Sequence, residues 1–248
     1  MAYIKLDEGF VFGQGIFSTL KVINGQALFL DQHLDRLIQS AKALDFTSSI
    51  TKNVINDHIN GKEMVDGALK IILSPDNLVI QERPDPYGKA FLPAKPLKLA
   101  KWQRHSSNTL LQHKSTMYLA NKINLKQIRE KGAFECIFLN EKDQITEGSF
   151  TNLFFVKDQE LITAPTSAGL LPGIMRQWVI EHFPVTIRPI DWQERQAFQA
   201  GFMTNCLMGI TPIQTLESVH YQDQHPLINY IQEEYSAKIY KQKASQWL

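Results

Sequence analysis

Lys114 stands out by its neighbours. In LLQHKSTMYLANKINLKQIREKG, residues 110–132, it follows His113 and precedes the hydroxyls of Ser115, Thr116 and Tyr118. A lysine amine adds to a carbonyl only when some of it is unprotonated, which burial or a nearby cation favours. The other lysines of the run read as solvated charges on an amphipathic helix. Competing chemistries find little support. The 7 histidines are dispersed without a His-Glu-x-x-His pair, and Cys136 and Cys206 form neither a metal cluster nor a paired redox motif. Gly13-Gln14-Gly15 lacks the third glycine of a dinucleotide fingerprint, no Walker loop occurs, and TEGSF is not a Gly-x-Ser-x-Gly elbow.

Further segments carry candidate groups. Glu147, between Thr146 and Gly148, precedes the strand-like FTNLFFV. It reads either as a surface acceptor at a strand end or as a buried carboxylate able to hold a proton on a ring nitrogen. Leu171-Pro172-Gly173 introduces IMRQWVIEHF, a turn and then a helix start. The backbone at Gly173, Ile174 and Met175 is suited to an anionic group such as phosphate. FMTNCLMGITP forms a second polar loop that presents Thr204, Asn205 and Cys206.

Elements must hold these groups in place. GQGIFSTLKVINGQALFL predicts two strands around an Asn24-Gly25 turn, followed by the helix DQHLDRLIQSAKALDF. In that helix Leu34, Leu37, Ile38, Ala41 and Leu44 recur at helical spacing and define a buried face. Arg36 lies roughly opposite and reads as solvated, or as pointing into an active-site mouth. A second helix covers SSITKNVINDHIN, then GALKIIL, NLVIQE and PLKLAKW read as strands. RPDPYGKAFLPAKP is too rich in Pro and Gly for a continuous element. Later come the helix NKINLKQIREKG, the strands FECIFL, NLFFV and LITAP, and a long helix in PLINYIQEEYSAKIYKQKASQWL. This predicts a smaller α/β domain over residues 1–105, a linker at 106–113 and a larger α/β domain over 114–248.

Composition narrows the class. The 248 residues suffice for two modest domains, and 44% hydrophobic content suits a globular chain. Lys and Arg number 26 against 25 Asp and Glu, without a basic block, so nucleic acid is not the expected partner. A small anionic substrate stays compatible, since a pocket can be positive when the total is not. No run resembles a membrane span and MAYIKLDEGFVFGQGIF lacks an export pattern, so a cytoplasmic location is expected.

Taken in order, FVFGQGIFSTLKVINGQALFLDQHLDRLIQSAKAL, HKSTMYLANK, KGAFECIFLNEKDQITEGSFTNLFFV, TAPTSAGLLPGIMRQWVI and GFMTNCLMGITPI resemble the fold-type IV pyridoxal-phosphate enzymes over nearly the whole chain. The resemblance implies a two-domain α/β (α+β) fold of the D-amino-acid aminotransferase type, pyridoxal 5'-phosphate as cofactor, and a homodimer. It implies that Lys114 is the Schiff-base lysine, Glu147 the partner of the pyridine nitrogen and Arg36 the partner of the phosphate. Gly173, Ile174 and Met175 then form the phosphate-binding helix start, with Asn205 and Cys206 in the second phosphate loop. Tyr118 resembles the aromatic hydroxyl that bonds the cofactor's ring oxygen.

The family includes aminodeoxychorismate lyases and the branched-chain and D-amino-acid aminotransferases. Where the aminotransferases resemble Phe-Glu, this chain has Phe17 followed by Ser18 and Thr19, and with TNCLMGITP this resembles the lyase branch. The implied reaction turns 4-amino-4-deoxychorismate into 4-aminobenzoate and pyruvate, a step of folate biosynthesis, with Ser18 or Thr19 orienting substrate or assisting proton transfer. The alternatives are an aminotransferase and, outside catalysis, a small-ligand-binding α/β protein. SPD replaces the arginine-glycine turn of many relatives. Arg83, Lys101 and Arg104 are therefore candidates for binding substrate carboxylates, each also readable as a surface cation.

Overall fold

Alternating side chains on one strand explain most of the first compact unit. The computed structural model describes residues 4–241. One unit takes the chain up to Gly88 together with His113–Tyr118, and the other takes Lys89–Gln112 and the chain from Leu119 onward. The first contains α1 (Glu8–Phe12), β1 (Ile16–Ile23), β2 (Gln26–Ala27), α2 (Leu30–Ala43), α3 (Lys52–Gly61), β3 (Gly67–Ser74) and β4 (Asn77–Arg83). The sheet runs β2-β1-β3-β4, antiparallel throughout. Asn24 (φ 51°) and Gly25 (φ 78°) both take positive φ, the requirement of a tight hairpin turn matched to strand twist.

Ile16, Leu20 and Val22 of β1 pack with Leu34, Leu37 and Ala41 of α2 and Ile55 and Ile59 of α3. Each Ile, Leu or Val among these contributes about 1.5–3 kcal/mol on burial, and Ala41 less. The buried face of α2 is rotated from the predicted stripe. Ile38 is 46% exposed, whereas His33 and Ser40 are buried beside Leu34, Leu37 and Ala41. The cause lies in the strand: Ser18 occupies an inward position of β1, so α2 meets it with polar groups.

The second unit contains β5 (Lys95–Leu99), α4 (Leu119–Arg129), β6 (Glu135–Leu139), β7 (Ile145–Gly148), β8 (Asn152–Lys157), β9 (Glu160–Thr163), α5 (Ile174–His182), β10 (Val185–Ile187), β11 (Ala200–Asn205), β12 (Gly209–Leu216), β13 (Val219–His220) and α6 (Pro226–Lys241). Its nine-stranded sheet runs β10-β9-β8-β11-β12-β5-β6-β7, with β13 on β12. The sheet is mixed, parallel at β9–β10, β5–β12 and β5–β6.

Here the predicted domain limits fail. β5, expected in the smaller domain, pairs in parallel with β6 and β12. Lys114, expected in the larger domain, belongs to the first unit because its backbone carbonyl accepts from Phe17 N at 2.8 Å. The FMTNCLMGITP loop is mostly strand, β11 and β12 closing on a short turn. Among the described residues no helix is long and apolar enough to cross a membrane.

Candidate active site

In the first unit, backbone pairing fixes the lysine segment. Ile16 bridges Ser115, and Thr116 N donates to Gly15 O at 2.8 Å. A side chain at Gly15 would bring a Cβ within 2.9 Å of Thr116 Oγ1, so the close approach needs glycine. Lys114 Nζ donates to the Tyr118 hydroxyl at 3.3 Å. It also lies 4.8 Å from the Phe17 ring centroid and 5.0 Å from that of Tyr118. Phe17 and Tyr118 meet edge to face at 5.0 Å. Two aromatic faces and a hydroxyl thus hold the amine in one position.

Ser18 and Thr19 point to opposite faces of β1. Ser18 is fully buried: its Oγ accepts from Arg36 Nη2 at 2.8 Å and lies 2.7 Å from His33 Nδ1. Arg36 is half-buried, not on a solvated face. Burial, then the positive charges of Arg36 and Lys114, holds His33 well below the ordinary histidine range. Thr19 is half-buried on the face that carries Phe17, directly across from Lys70 of β3. Lys70 Nζ is itself 4.6 Å from the Phe17 ring.

In the second unit, Glu147 is a buried strand residue of β7, not a surface acceptor at a strand end. It forms an ion pair with Arg104, both side chains being 7% exposed. Its other oxygen accepts from Asn152 Nδ2 at 3.1 Å. Arg104 is therefore not a surface cation: it also donates to Asn121 Oδ1 at 3.4 Å and lies 4.2 Å over the Phe138 ring. Arg83 and Lys101 are exposed.

The turn after Glu147 is tied down by a second buried carboxylate. Glu135 accepts from Ser149 Oγ, and from Cys136 N at 2.8 Å, Ser149 N at 3.1 Å and Phe150 N at 3.2 Å. Burial pushes the Glu135 carboxyl up, and these donors oppose it.

Gly173 is the N-cap of α5 and supplies no side-chain cap, so the first amides of this 9-residue helix face outward as donors for an anion. A Cβ at Gly173 would lie 2.1 Å from Asn152 Oδ1. Asn152 in turn donates to Leu171 O at 2.9 Å, which joins the helix start to Glu147 through one side chain. Asn205 Oδ1 accepts from Leu207 N and Met208 N at 2.9 and 3.0 Å, closing the turn after β11. Cys206, partly buried, sits in that turn and is not in a disulfide. Among the described residues no cluster of His, Cys, Asp or Glu is suited to a metal ion.

The model of the amino-transferase class IV family matches residues 15–216. The chain belongs to this family. An aminodeoxychorismate lyase of Bacillus subtilis is 26% identical over 88% of this chain and 83% of its own length. A D-alanine aminotransferase of Listeria monocytogenes is 24% identical over the same shares. Among solved structures, a Legionella pneumophila protein provisionally named a 4-amino-4-deoxychorismate lyase superposes with a TM-score of 0.86 at 26% identity, over 93% of both chains. The branched-chain aminotransferase of Thermoproteus uzoniensis does so at 0.81 and 24% identity, over 93% of this chain and 86% of its own.

Class IV membership confirms the fold-type IV architecture and implies use of pyridoxal phosphate. The residues present fit that group. Lys114 offers an amine held beside a hydroxyl, and Glu147 offers a buried carboxylate. With Arg104 and Asn152 bonded, a carboxylate still has lone pairs for a ring N–H. The open start of α5 suits a phosphate. Sequence patterning does not single out Asn152, Glu135 or His33, and it offers Arg104 as a candidate for substrate carboxylates, not as the partner of Glu147; Glu135 and Asn152 show only as a charged or amide side chain in a mostly apolar run.

Proposed function

We propose that this class IV enzyme is an aminodeoxychorismate lyase, converting 4-amino-4-deoxychorismate to 4-aminobenzoate and pyruvate. The observation that carries this proposal is the Ser18-Thr19 pair on β1. Ser18 is turned inward to Arg36, leaving Thr19 as the hydroxyl on the Phe17 face. The similarity to the Bacillus subtilis lyase supports it.

Bound pyridoxal phosphate supplies an electron sink for the substrate carbon that carries the amine. Lys114 would hold the group through its amine and take the proton from that carbon, with the Tyr118 hydroxyl orienting that amine. Glu147 would keep a proton on the ring nitrogen, and Arg104 and Asn152 hold Glu147 in place. In the first unit Arg36 would be the phosphate's partner, and in the second unit the α5 amides and backbone groups of the Asn205-Cys206 turn would be its donors. Thr19 orients the departing side chain or delivers a proton to it. The carbon–oxygen bond to that side chain breaks as the ring becomes aromatic, so the atoms balance without oxidant or second substrate.

The experiment supplies 4-amino-4-deoxychorismate to the cofactor-loaded enzyme without a keto acid. In parallel, D-alanine and branched-chain amino acids are offered with 2-oxoglutarate. Pyruvate and 4-aminobenzoate forming together are the expected result. Efficient amino transfer with no lyase turnover would replace the lyase by an aminotransferase.

A further inference from the structure

We infer that His33 is a positioning residue for the phosphate end of the cofactor, acting through Ser18 on Arg36. This deepens the cofactor assignment and rests on Arg36 as a phosphate ligand. A guanidinium only donates, so Ser18 Oγ is the acceptor in its 2.8 Å contact with Arg36 Nη2. In the proposed arrangement the Ser18 hydroxyl proton is directed at His33 Nδ1, 2.7 Å away. That nitrogen then offers a lone pair, and the neutral ring carries its proton on Nε2.

Nε2 is buried with no hydrogen-bond partner among the described residues, in a residue of 0% exposure. A bare cavity filler would be better served by leucine or phenylalanine, which bury no polar atom. The histidine is therefore accounted for by its Nδ1 side. Without that acceptor the hydroxyl rotor of Ser18 can turn its proton toward Arg36, where two donors would face each other. With it, the Ser18 lone pairs stay on the guanidinium. His33 and Arg36 are three apart on α2, so both meet Ser18 from one helix face. The ring also stays uncharged beside Lys114 and Arg36, so it adds no repulsion.

The test uses cofactor-free full-length enzyme, folded by its melting curve, titrated with pyridoxal phosphate and separately with pyridoxal, which lacks the phosphate. His33→Phe is expected to weaken pyridoxal phosphate binding roughly tenfold, the scale of one charge-assisted hydrogen bond. Pyridoxal binding should change by less than about twofold by the same scale. His33→Asn, whose side-chain oxygen can stand in for Nδ1, should recover most of the loss, and Ser18→Ala should match His33→Phe. If His33→Phe does not fold, the Ser18→Ala and His33→Asn pair decides alone. Equal losses for both ligands, or no recovery with asparagine, would overturn the proposal in favour of a packing role. Arg36→Ala separates the two levels. Loss of phosphate discrimination in Arg36→Ala but not in His33→Phe defeats the His33 role alone. No loss in Arg36→Ala removes Arg36 as the phosphate ligand.

Discussion

Removing Arg104 should destabilise the cofactor-free protein before any effect on turnover is considered. Arg104 and Glu147 are each only 7% exposed in their ion pair. Arg104→Ala leaves the Glu147 carboxylate inside β7 with the Asn152 amide still donating at 3.1 Å. Breaking a buried pair from one side costs about 3–5 kcal/mol, because a buried charge loses its counter-ion. The lost packing of the guanidinium on Phe138, 4.2 Å from its ring centroid, adds to this. At roughly 2–4 °C per kcal/mol for a chain of this size, the melting temperature should fall by ~6–20 °C. Replacing both partners, Arg104→Met with Glu147→Met, should recover most of that loss, since neither charge is then stranded. Urea unfolding of the cofactor-free variants measures both. If Arg104→Ala lies within about 1 kcal/mol of the parent, the pair behaves as a surface pair and its assignment as a buried one is wrong.

The remaining predictions are simpler. Gly173→Ala should lower both stability and pyridoxal phosphate affinity. The backbone there (φ −70°) accepts alanine, but the Cβ would displace Asn152, 2.1 Å away, from Leu171 and Glu147. An unchanged affinity by titration would refute the close approach. His33 gives a pH effect whose sign follows from its depressed folded value. Below about pH 6.5 the unfolded chain takes up a proton that the folded state refuses, so stability falls as pH drops, by up to ~1.4 kcal/mol per pH unit. The slope between about pH 6.5 and 5 should flatten in His33→Phe when denaturant curves are compared. Finally, α1 leaves Phe10 76% and Phe12 72% exposed, which suits burial against a second copy of the chain. Light scattering should report a homodimer across dilution, and a fully active monomer would exclude one.

Local pattern carried part of this structure and long-range pairing carried the rest. The Asn24-Gly25 hairpin, α2, α3 and α5 were legible because turn chemistry and helical spacing are written within a few residues. The motif blocks around Lys114, Glu147 and Gly173 gave the family. β7 was missed because ITEG has neither β-branched alternation nor apolar character at its centre. It is a strand because it pairs antiparallel with β6, Ile137 opposite Gly148 and Leu139 opposite Ile145, and the Thr146 Oγ1 bond to Phe138 O at 2.9 Å reinforces that pairing. β5 was assigned to the wrong domain because its partners, β6 and β12, are parallel and far along the chain. The inward polar face of α2 depends on one serine of β1, and Ile38 was predicted buried because hydrophobicity alone cannot report that.

The route of the chain limits how relatives can be recombined. It leaves the first unit after Gly88, returns at His113 for the few residues through Tyr118, and leaves again at Leu119. A chimera joined by a single crossover near residue 88 would inherit β1 from one parent and the Lys114 segment from the other. Yet Phe17 N and Lys114 O, and Gly15 O and Thr116 N, bond across that join. Gene shuffling within the family should therefore recover functional hybrids when His113–Tyr118 travels with the N-terminal fragment. Survivors with one exchange should have matched residues near Gly15 and Thr116 in both parents.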